Sequence, residues 1–251
     1  MRVSGHHIPH KRRLKRRAGA ALGVAAGLFV GLLGFTGYLG GPVFSDLRPA
    51  PVAPPAAFRG VAVALLSGDM GFRMGMGRAV ADRLSAQGVP VVGVNTLTYF
   101  RVRRTPREAG RLVEAAVRRA LAVPGTRRLV LVGQSFGADM LQAGLPDLPA
   151  ALRRRVALVA LVVPGATIVY RASPSNLFGL ERPEVDAFAT ARRLDWVPVL
   201  CVYGVEERAS LCPGLEQPNV RRIGLPGGHP LRRDSDRLYR TLMDSAAGAL
   251  K

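Results

Sequence analysis

The stretch that decides this sequence is Leu129-Val130-Leu131-Val132-Gly133-Gln134-Ser135-Phe136-Gly137, followed by the helical-looking run Ala138–Leu145. Four successive apolar residues without alternation read as a strand buried on both faces, as in a parallel sheet. That strand runs directly into G-x-S-x-G. In the setting of buried strand, sharp turn and helix, the motif raises its serine above the end of the sheet. The glycines are required because the turn is strained and neighbouring backbone comes close. Ser135 then projects at a helix N-terminus, where free N–H groups and the helix dipole favour developing negative charge. A tight strand-to-helix turn with an inert serine is the alternative that the motif alone leaves open.

The same pattern recurs on either side. Val61–Leu66, Val89–Val94, Val156–Val163 and Val197–Tyr203 are further apolar runs of strand length. A helix between them opens at Thr105, with Pro106 at its first position and Glu108 completing a capping box. Its apolar residues Ala109, Leu112, Val113, Ala116, Val117, Ala120 and Leu121 fall on one helical face. Residues 74–87 and 234–249 are further helix candidates. Strands alternating with such helices predict an α/β fold, a mainly parallel sheet with helices on both faces. No internal repeat is present.

A serine nucleophile needs a base, and histidine is the usual one. Three of the four histidines lie in the first ten residues, which leaves His229 as the single candidate. It sits in Pro226-Gly227-Gly228-His229, a turn after the short apolar run Val220–Leu225 and before the last helix. Ser…acid…His is the chain order of α/β-hydrolases. The orienting acid is expected past the preceding strand, in Gly204-Val205-Glu206-Glu207, where Glu207 is favoured and Glu206 competes. Two oxyanion donors are expected: the N–H of Phe136 and, from the glycine-rich loop Ser67-Gly68-Asp69-Met70-Gly71-Phe72, that of Met70. Cys201 and Cys212 bracket the acid loop. Outside the cytoplasm a disulfide there would hold the carboxylate in place, and two buried thiols are the alternative. No Cys/His cluster has metal-ligand spacing, and no phosphate loop or dinucleotide fingerprint occurs, so no metal or cofactor is expected.

The chain is 251 residues long, 48% apolar and 21% charged, values that suit a packed core and exclude wholesale disorder. Its net charge of +19 points by itself to nucleic acid or an anionic membrane. Seven of the bases (Arg2, Lys11, Arg12, Arg13, Lys15, Arg16 and Arg17) precede residue 18 without an acid among them; the rest of the chain holds 29 bases against 17 acids. Residues 18–41 carry no charge at all, long enough as a helix to cross a bilayer and longer than the apolar core of a cleaved signal. The sequence therefore divides into a basic cytoplasmic tail (1–17), a transmembrane anchor or uncleaved signal (18–41), a proline-rich spacer (42–58) holding the rest off the bilayer, and a catalytic domain (59–251). The positive-inside rule keeps the tail in the cytoplasm, making the protein single-pass in the inner membrane with its domain outside. A nucleic-acid partner is not expected on that side.

Taken together, Ser67-Gly68-Asp69-Met70-Gly71-Phe72, Arg103-Arg104-Thr105-Pro106, Gly133-Gln134-Ser135-Phe136-Gly137-Ala138-Asp139, Tyr203-Gly204 with Leu211-Cys212-Pro213, and Leu225-Pro226-Gly227-Gly228-His229 resemble the VirJ/AcvB family of bacterial virulence proteins. The resemblance spans about residues 59–250. It implies an α/β-hydrolase fold, a periplasmic location, Ser135 as nucleophile, His229 as base and a disulfide between Cys201 and Cys212. Members of the AcvB type hydrolyse lysyl-phosphatidylglycerol, so an aminoacyl phospholipid is the implied substrate. VirJ-type members are linked to type IV secretion, which implies a secretion-system or envelope protein as partner. The chain departs from the family pattern at Met70 and Phe72, where Gly-Asp-Gly-Gly-Trp is usual, at Pro230, where a second histidine is common, and at Ala209, often acidic. Residues 166–193, between two core strands, are long enough for a lid or an acyl-chain groove.

Overall fold

The computed structural model describes residues 10–172 and 184–251. Its centre is a seven-stranded sheet, counted over the described residues, formed by β1 (Phe44–Leu47), β2 (Val61–Leu66), β3 (Val91–Val94), β4 (Arg128–Gln134), β5 (Val156–Val162), β8 (Val199–Gly204) and β9 (Val220–Leu225) in the spatial order β1-β3-β2-β4-β5-β8-β9. All pairs are parallel except β1 with β3. A two-stranded antiparallel ribbon, β6 (Thr167–Ile168) with β7 (Val185–Asp186), lies outside it. Two expected strands start later than their apolar runs. Pro90 and Pro198 lack an N–H for the ladder, so pairing begins at Val91 and Val199.

Alternate residues of the central strands feed two cores, since successive side chains point to opposite faces. Ala62, Ala64, Leu66, Leu129, Leu131, Val159 and Leu161 pack with Leu112 and Val113 of α4 (Pro106–Leu121) and with Met140 and Leu141 of α5 (Phe136–Gly144). On the other face Val63, Leu65, Val130, Val132, Leu158 and Ala160 meet Val80 and Leu84 of α2 (Gly75–Ala86) and Leu238 and Leu242 of α8 (Ser235–Ala249). Each fully buried Leu or Val contributes about 1.5–3 kcal/mol. The capping box forms as expected: Thr105 Oγ1 accepts from the Glu108 N–H at 3.3 Å, and Glu108 Oε2 accepts from the Thr105 N–H at 2.8 Å.

The N-terminal segment departs from expectation at both boundaries. Helix α1 (His10–Thr36) runs without a break from the basic run into the apolar stretch. It ends at Thr36 rather than Gly41, because Gly37 takes φ +93° while the Tyr38 N–H returns to the Leu33 carbonyl at 2.9 Å. Its Gly19–Thr36 portion has a mean hydropathy of 1.9 and is only 6% buried, long and apolar enough to cross a membrane. The expected spacer 42–58 is instead part of the domain. Phe44–Leu47 adds to the free edge of β3, the Ala50 N–H bonds the Ser85 carbonyl at 2.8 Å, and Phe58 is buried. The prolines fall outside that edge strand, Pro42 before it and the rest after it, where no ladder N–H is needed. Of the expected lid, β6, β7 and α7 (Ala187–Ala191) are seen, while 173–183 lie outside the described residues.

Both motif glycines leave no space for a side chain. A Cβ on Gly133 would stand 2.6 Å from Ala138 Cα, and one on Gly137 would collide with the carbonyl oxygens of Leu66 and Ser67. Gly137→Ala is expected to lower stability by about 1–3 kcal/mol through forced separation of α5 from β2, measurable as a lower urea midpoint at unchanged m-value.

Candidate active site

Ser135 lies between β4 and α5 at φ 52°, ψ −126°. A non-glycine residue at positive φ carries a conformational cost, and the surroundings must hold it there. Here the Ser135 N–H is fixed to the Val162 carbonyl at 2.8 Å and its carbonyl accepts from the N–H groups of Ala138 and Asp139 at 2.7 and 3.1 Å. The hydroxyl is left free of the helix cap and faces His229: Oγ to Nε2 is 2.7 Å. On its other side, His229 Nδ1 stands 2.6 Å from Glu207 Oε1.

The strand ends put these three together. Glu207 follows β8 and His229 follows β9, the neighbouring parallel strand. Their loops are stitched by backbone: the Val205 N–H donates to the Leu225 carbonyl at 2.9 Å and the Glu206 N–H to the Gly227 carbonyl at 3.0 Å. A Cβ on Gly204 would strike the Gly228 carbonyl oxygen, so only glycine permits this contact. Cys201 in β8 is disulfide-bonded to Cys212, closing the loop that carries Glu207. Between the two expected acids the structure discriminates clearly. Glu207 is largely buried and on the imidazole, whereas Glu206 is exposed and paired with Arg232 at 3.3 Å.

The electrostatics suit a base. The hydrogen bond to Glu207 raises the His229 pKa; burial opposes this, and the charges of Glu207, Asp139 and Asp69 reinforce it. Asp139 and Asp69 lie in the motifs around Ser135 and after β2, with no role apparent from the sequence. Asp139 is the single charged residue of α5, one turn beyond Ser135, and its Oδ1 accepts from the Gly165 N–H at 2.9 Å. Loss of water pushes its carboxyl up to about 8. The one charged residue in α5 is the signal that could have pointed to it. Asp69 is likewise raised by burial, against the pull of His229 and of the N–H groups of Asp69 and Met70.

The expected oxyanion donors differ in their surroundings. The N–H of Phe136 opens the first turn of α5, where helical N–H groups have no intrahelical acceptor. That of Met70 lies beside the Asp69 carboxyl. The loop holding it adjoins the serine closely, since a Cβ on Gly68 would touch Ser135 Cβ at 3.4 Å. An open cleft of about 320 Å³ flanks the site, lined by Gly75, Met76, Ala79, Gln134, Pro230 and Arg233, including the residues just before Ser135 and just after His229. Among the described residues no group of three His, Cys, Asp or Glu side chains is placed to hold a metal ion.

A mostly parallel sheet, a serine at the strand-turn-helix after β4, and an acid and a histidine on the loops after β8 and β9 define an α/β-hydrolase fold. The chain belongs to the bacterial virulence protein VirJ family, whose model matches residues 60–249. Its fold is similar to that of Est1E from Butyrivibrio proteoclasticus, with 12% identity, a TM-score of 0.57 and coverage of 82% of this chain and 93% of that one. The Bacillus licheniformis lipase BlEst2 in mature form is similar at 11% identity and TM-score 0.58, over 82% of this chain and 99% of that one. Proline iminopeptidase of Mycobacterium smegmatis is similar at 15% identity and TM-score 0.51, over 82% and 95%. No curated protein matches the sequence.

Two outcomes are expected. If His229 must be neutral to accept the Ser135 proton, kcat/KM on any cleaved ester rises with pH through an apparent pKa above the ordinary histidine value. Glu207→Gln lowers that pKa and cuts kcat by roughly 10⁴-fold, while Glu206→Gln leaves both near wild type. Separately, a carboxyl neutral up to about 8 when folded but ionised above about 4 when unfolded binds more protons in the native state between those values. Native stability contributed by Asp139 is therefore lost as pH rises. Thermal unfolding from pH 5 to 9 should show Tm falling for wild type and falling less for Asp139→Asn.

Proposed function

We propose that this chain is a membrane-anchored serine hydrolase that cleaves the aminoacyl ester of aminoacyl-phosphatidylglycerol at the outer face of the inner membrane. The observation that carries the reading is the hydrogen-bonded series Ser135–His229–Glu207, at 2.7 and 2.6 Å. Ser135 Oγ attacks the ester carbonyl carbon as its proton passes to His229 Nε2. The ester C–O bond then breaks, and the glycerol hydroxyl leaves with that proton. Water, deprotonated by the same nitrogen, releases the amino acid and restores the serine. Glu207 holds the imidazole and stabilises its charge, and the N–H groups of Phe136 and Met70 receive the oxyanion.

Three features support an aminoacyl lipid over other esters. The chain belongs to the VirJ family. Asp69 acts electrostatically on His229 and sets a carboxyl at the site of an otherwise basic protein, suited to the ammonium group of an esterified amino acid. Helix α1, read as a retained anchor with the basic tail in the cytoplasm, confines the domain to the layer that holds such a lipid, which raises encounter by proximity. Est1E and the lipase BlEst2 share only the fold, and a general carboxylesterase is the second reading that this fold accommodates.

The test incubates the detergent-solubilised full chain with lysyl- and alanyl-phosphatidylglycerol and follows amino-acid release. Ser135→Ala is expected to reduce release on the order of 10⁶-fold. Turnover of short-chain esters with none of the aminoacyl lipids would replace this reading with the general carboxylesterase. Equal release by wild type and Ser135→Ala would remove the catalytic assignment, leaving a hydrolase-like scaffold that binds a secretion-system or envelope protein.

A further inference from the structure

Of the five exposed large apolar side chains of the domain among the described residues, four are gathered at one edge. The five, all beyond Leu39, are Val52, Met70, Met74, Val102 and Val205. Val52 lies beside Gly88, at the N-terminal end of the sheet. The other four follow the C-terminal ends of parallel strands: Met70 and Met74 after β2, Val102 after β3 and the short helix α3 (Thr96–Phe100), and Val205 after β8. Ser135 lies on this same edge.

Helix α1 arrives there too, and it is clasped. Asn95 Nδ2 donates to the Thr36 carbonyl at 3.0 Å, and Thr98 Oγ1 donates to the Gly37 carbonyl at 3.0 Å. Gly71 is pressed so tightly on Thr36 that a Cβ would collide with its carbonyl oxygen. Arg73 stands over the Phe35 ring, 5.6 Å from its centroid. Phe35 and Thr36 are the last residues of the apolar span. The loop 67–74 is therefore held at the level where that span ends. Arg101 borders the exit as well: a Cβ on Gly40 would stand 2.7 Å from its guanidinium. Neither Arg73 nor Arg101 has an ion-pair partner among the described residues. Apolar side chains interleaved with unpaired arginines, beside the emerging end of a membrane-length helix, match the chemistry of an anionic phospholipid interface.

We propose that the C-terminal edge of the sheet seats directly on an anionic bilayer surface, with Met70, Met74 and Val102 entering the interface and Arg73 and Arg101 on lipid phosphates, so that Ser135 opens toward the membrane. The inference rests on the reading of α1 as a retained span and adds an orientation to it. A lipid substrate then reaches the serine from the plane of the bilayer, with only its headgroup ester lifted into the site.

The experiment uses the full chain reconstituted in vesicles of phosphatidylglycerol and phosphatidylethanolamine. Both native cysteines are in the disulfide, so an introduced cysteine is the single free thiol. Met74→Cys, Val102→Cys and, as reference at the opposite end of the sheet, Arg154→Cys are each labelled with an environment-sensitive fluorophore. Vesicle retention in high salt and alkaline carbonate is recorded on the same samples. The expected result is blue-shifted emission and at least twofold stronger quenching by lipid-borne quenchers at positions 74 and 102 than at 154. Adding Arg73→Gln and Arg101→Gln should weaken that quenching, as should replacing phosphatidylglycerol by phosphatidylcholine. Retained protein whose labels at 74 and 102 are quenched no more than at 154 overturns the orientation and leaves the anchor standing; protein washed from the vesicles overturns both. None of these readings depends on turnover, so the fate of the hydrolase assignment is decided separately.

Discussion

Everything at the candidate site depends on how closely α5 can approach the sheet. Gly133 and Gly137 let the helix start against β4 and against the carbonyls of Leu66 and Ser67, with no volume left for a Cβ at either position. That approach has two consequences that cannot be separated. It drives Ser135 into a left-handed backbone conformation that an L-residue adopts only under constraint. It also presses the serine against the loop after β2, so that Gly68 and Ser135 are in van der Waals range. A wider turn would relax the backbone but move the serine away from the donors of that loop and from His229.

The second constraint is charge. His229 is held between the near-dry carboxylate of Glu207 and the field of two further acids, Asp69 and Asp139. The three do not act alike. Glu207 bonds the imidazole directly, whereas burial raises Asp139 far enough that it is neutral near pH 7. A neutral Asp139 makes the pocket less negative than its residue list suggests, and its hydrogen bond with Gly165 then ties α5 to the segment after β5. Ionisation of Asp139 above about 8 would raise the affinity of His229 for its proton at the pH where a base is needed least protonated. Asp69 is raised by burial too, but the imidazole of His229 and the N–H groups of Asp69 and Met70 pull against that shift.

How much of this the sequence discloses depends on the range of the interactions involved. The strand read at 129–132, which the structure extends over Arg128–Gln134, the strand-turn-helix at Ser135 and the capping box at Thr105 are local, written in consecutive residues. The choice of Glu207 over Glu206 follows from loop position; in the structure the Val205 and Glu206 backbone is bonded to Leu225 and Gly227, and it is Glu207 that reaches His229. The roles of residues 37–58 are not local. Phe44–Leu47 is a strand because β3 has an unpaired edge, and nothing within those four residues announces an edge on a strand nearly fifty positions later. Asp69 and Asp139 are visible as residues but not as neighbours, since only folding brings both to His229.

The lost spacer changes what the N-terminal helix can do. A flexible tether would leave the orientation of the domain to chance, and the anchor would then supply only local concentration. The structure has instead a helix whose last turn is hydrogen-bonded to Asn95, whose following residue is bonded to Thr98, and whose Phe35 lies under Arg73. Two of these contacts come from the residues after β3; the third, with Gly71 pressed on Thr36, falls on the loop after β2 that approaches Ser135 through Gly68. A short path thus runs from the end of the apolar span to Ser135 in one loop. With α1 as a retained span, as proposed, tilting the helix in the bilayer would move that loop and the surroundings of Ser135 with it, so the fold of residues 42–58 onto β3 and α2 would make the membrane a part of the geometry at Ser135.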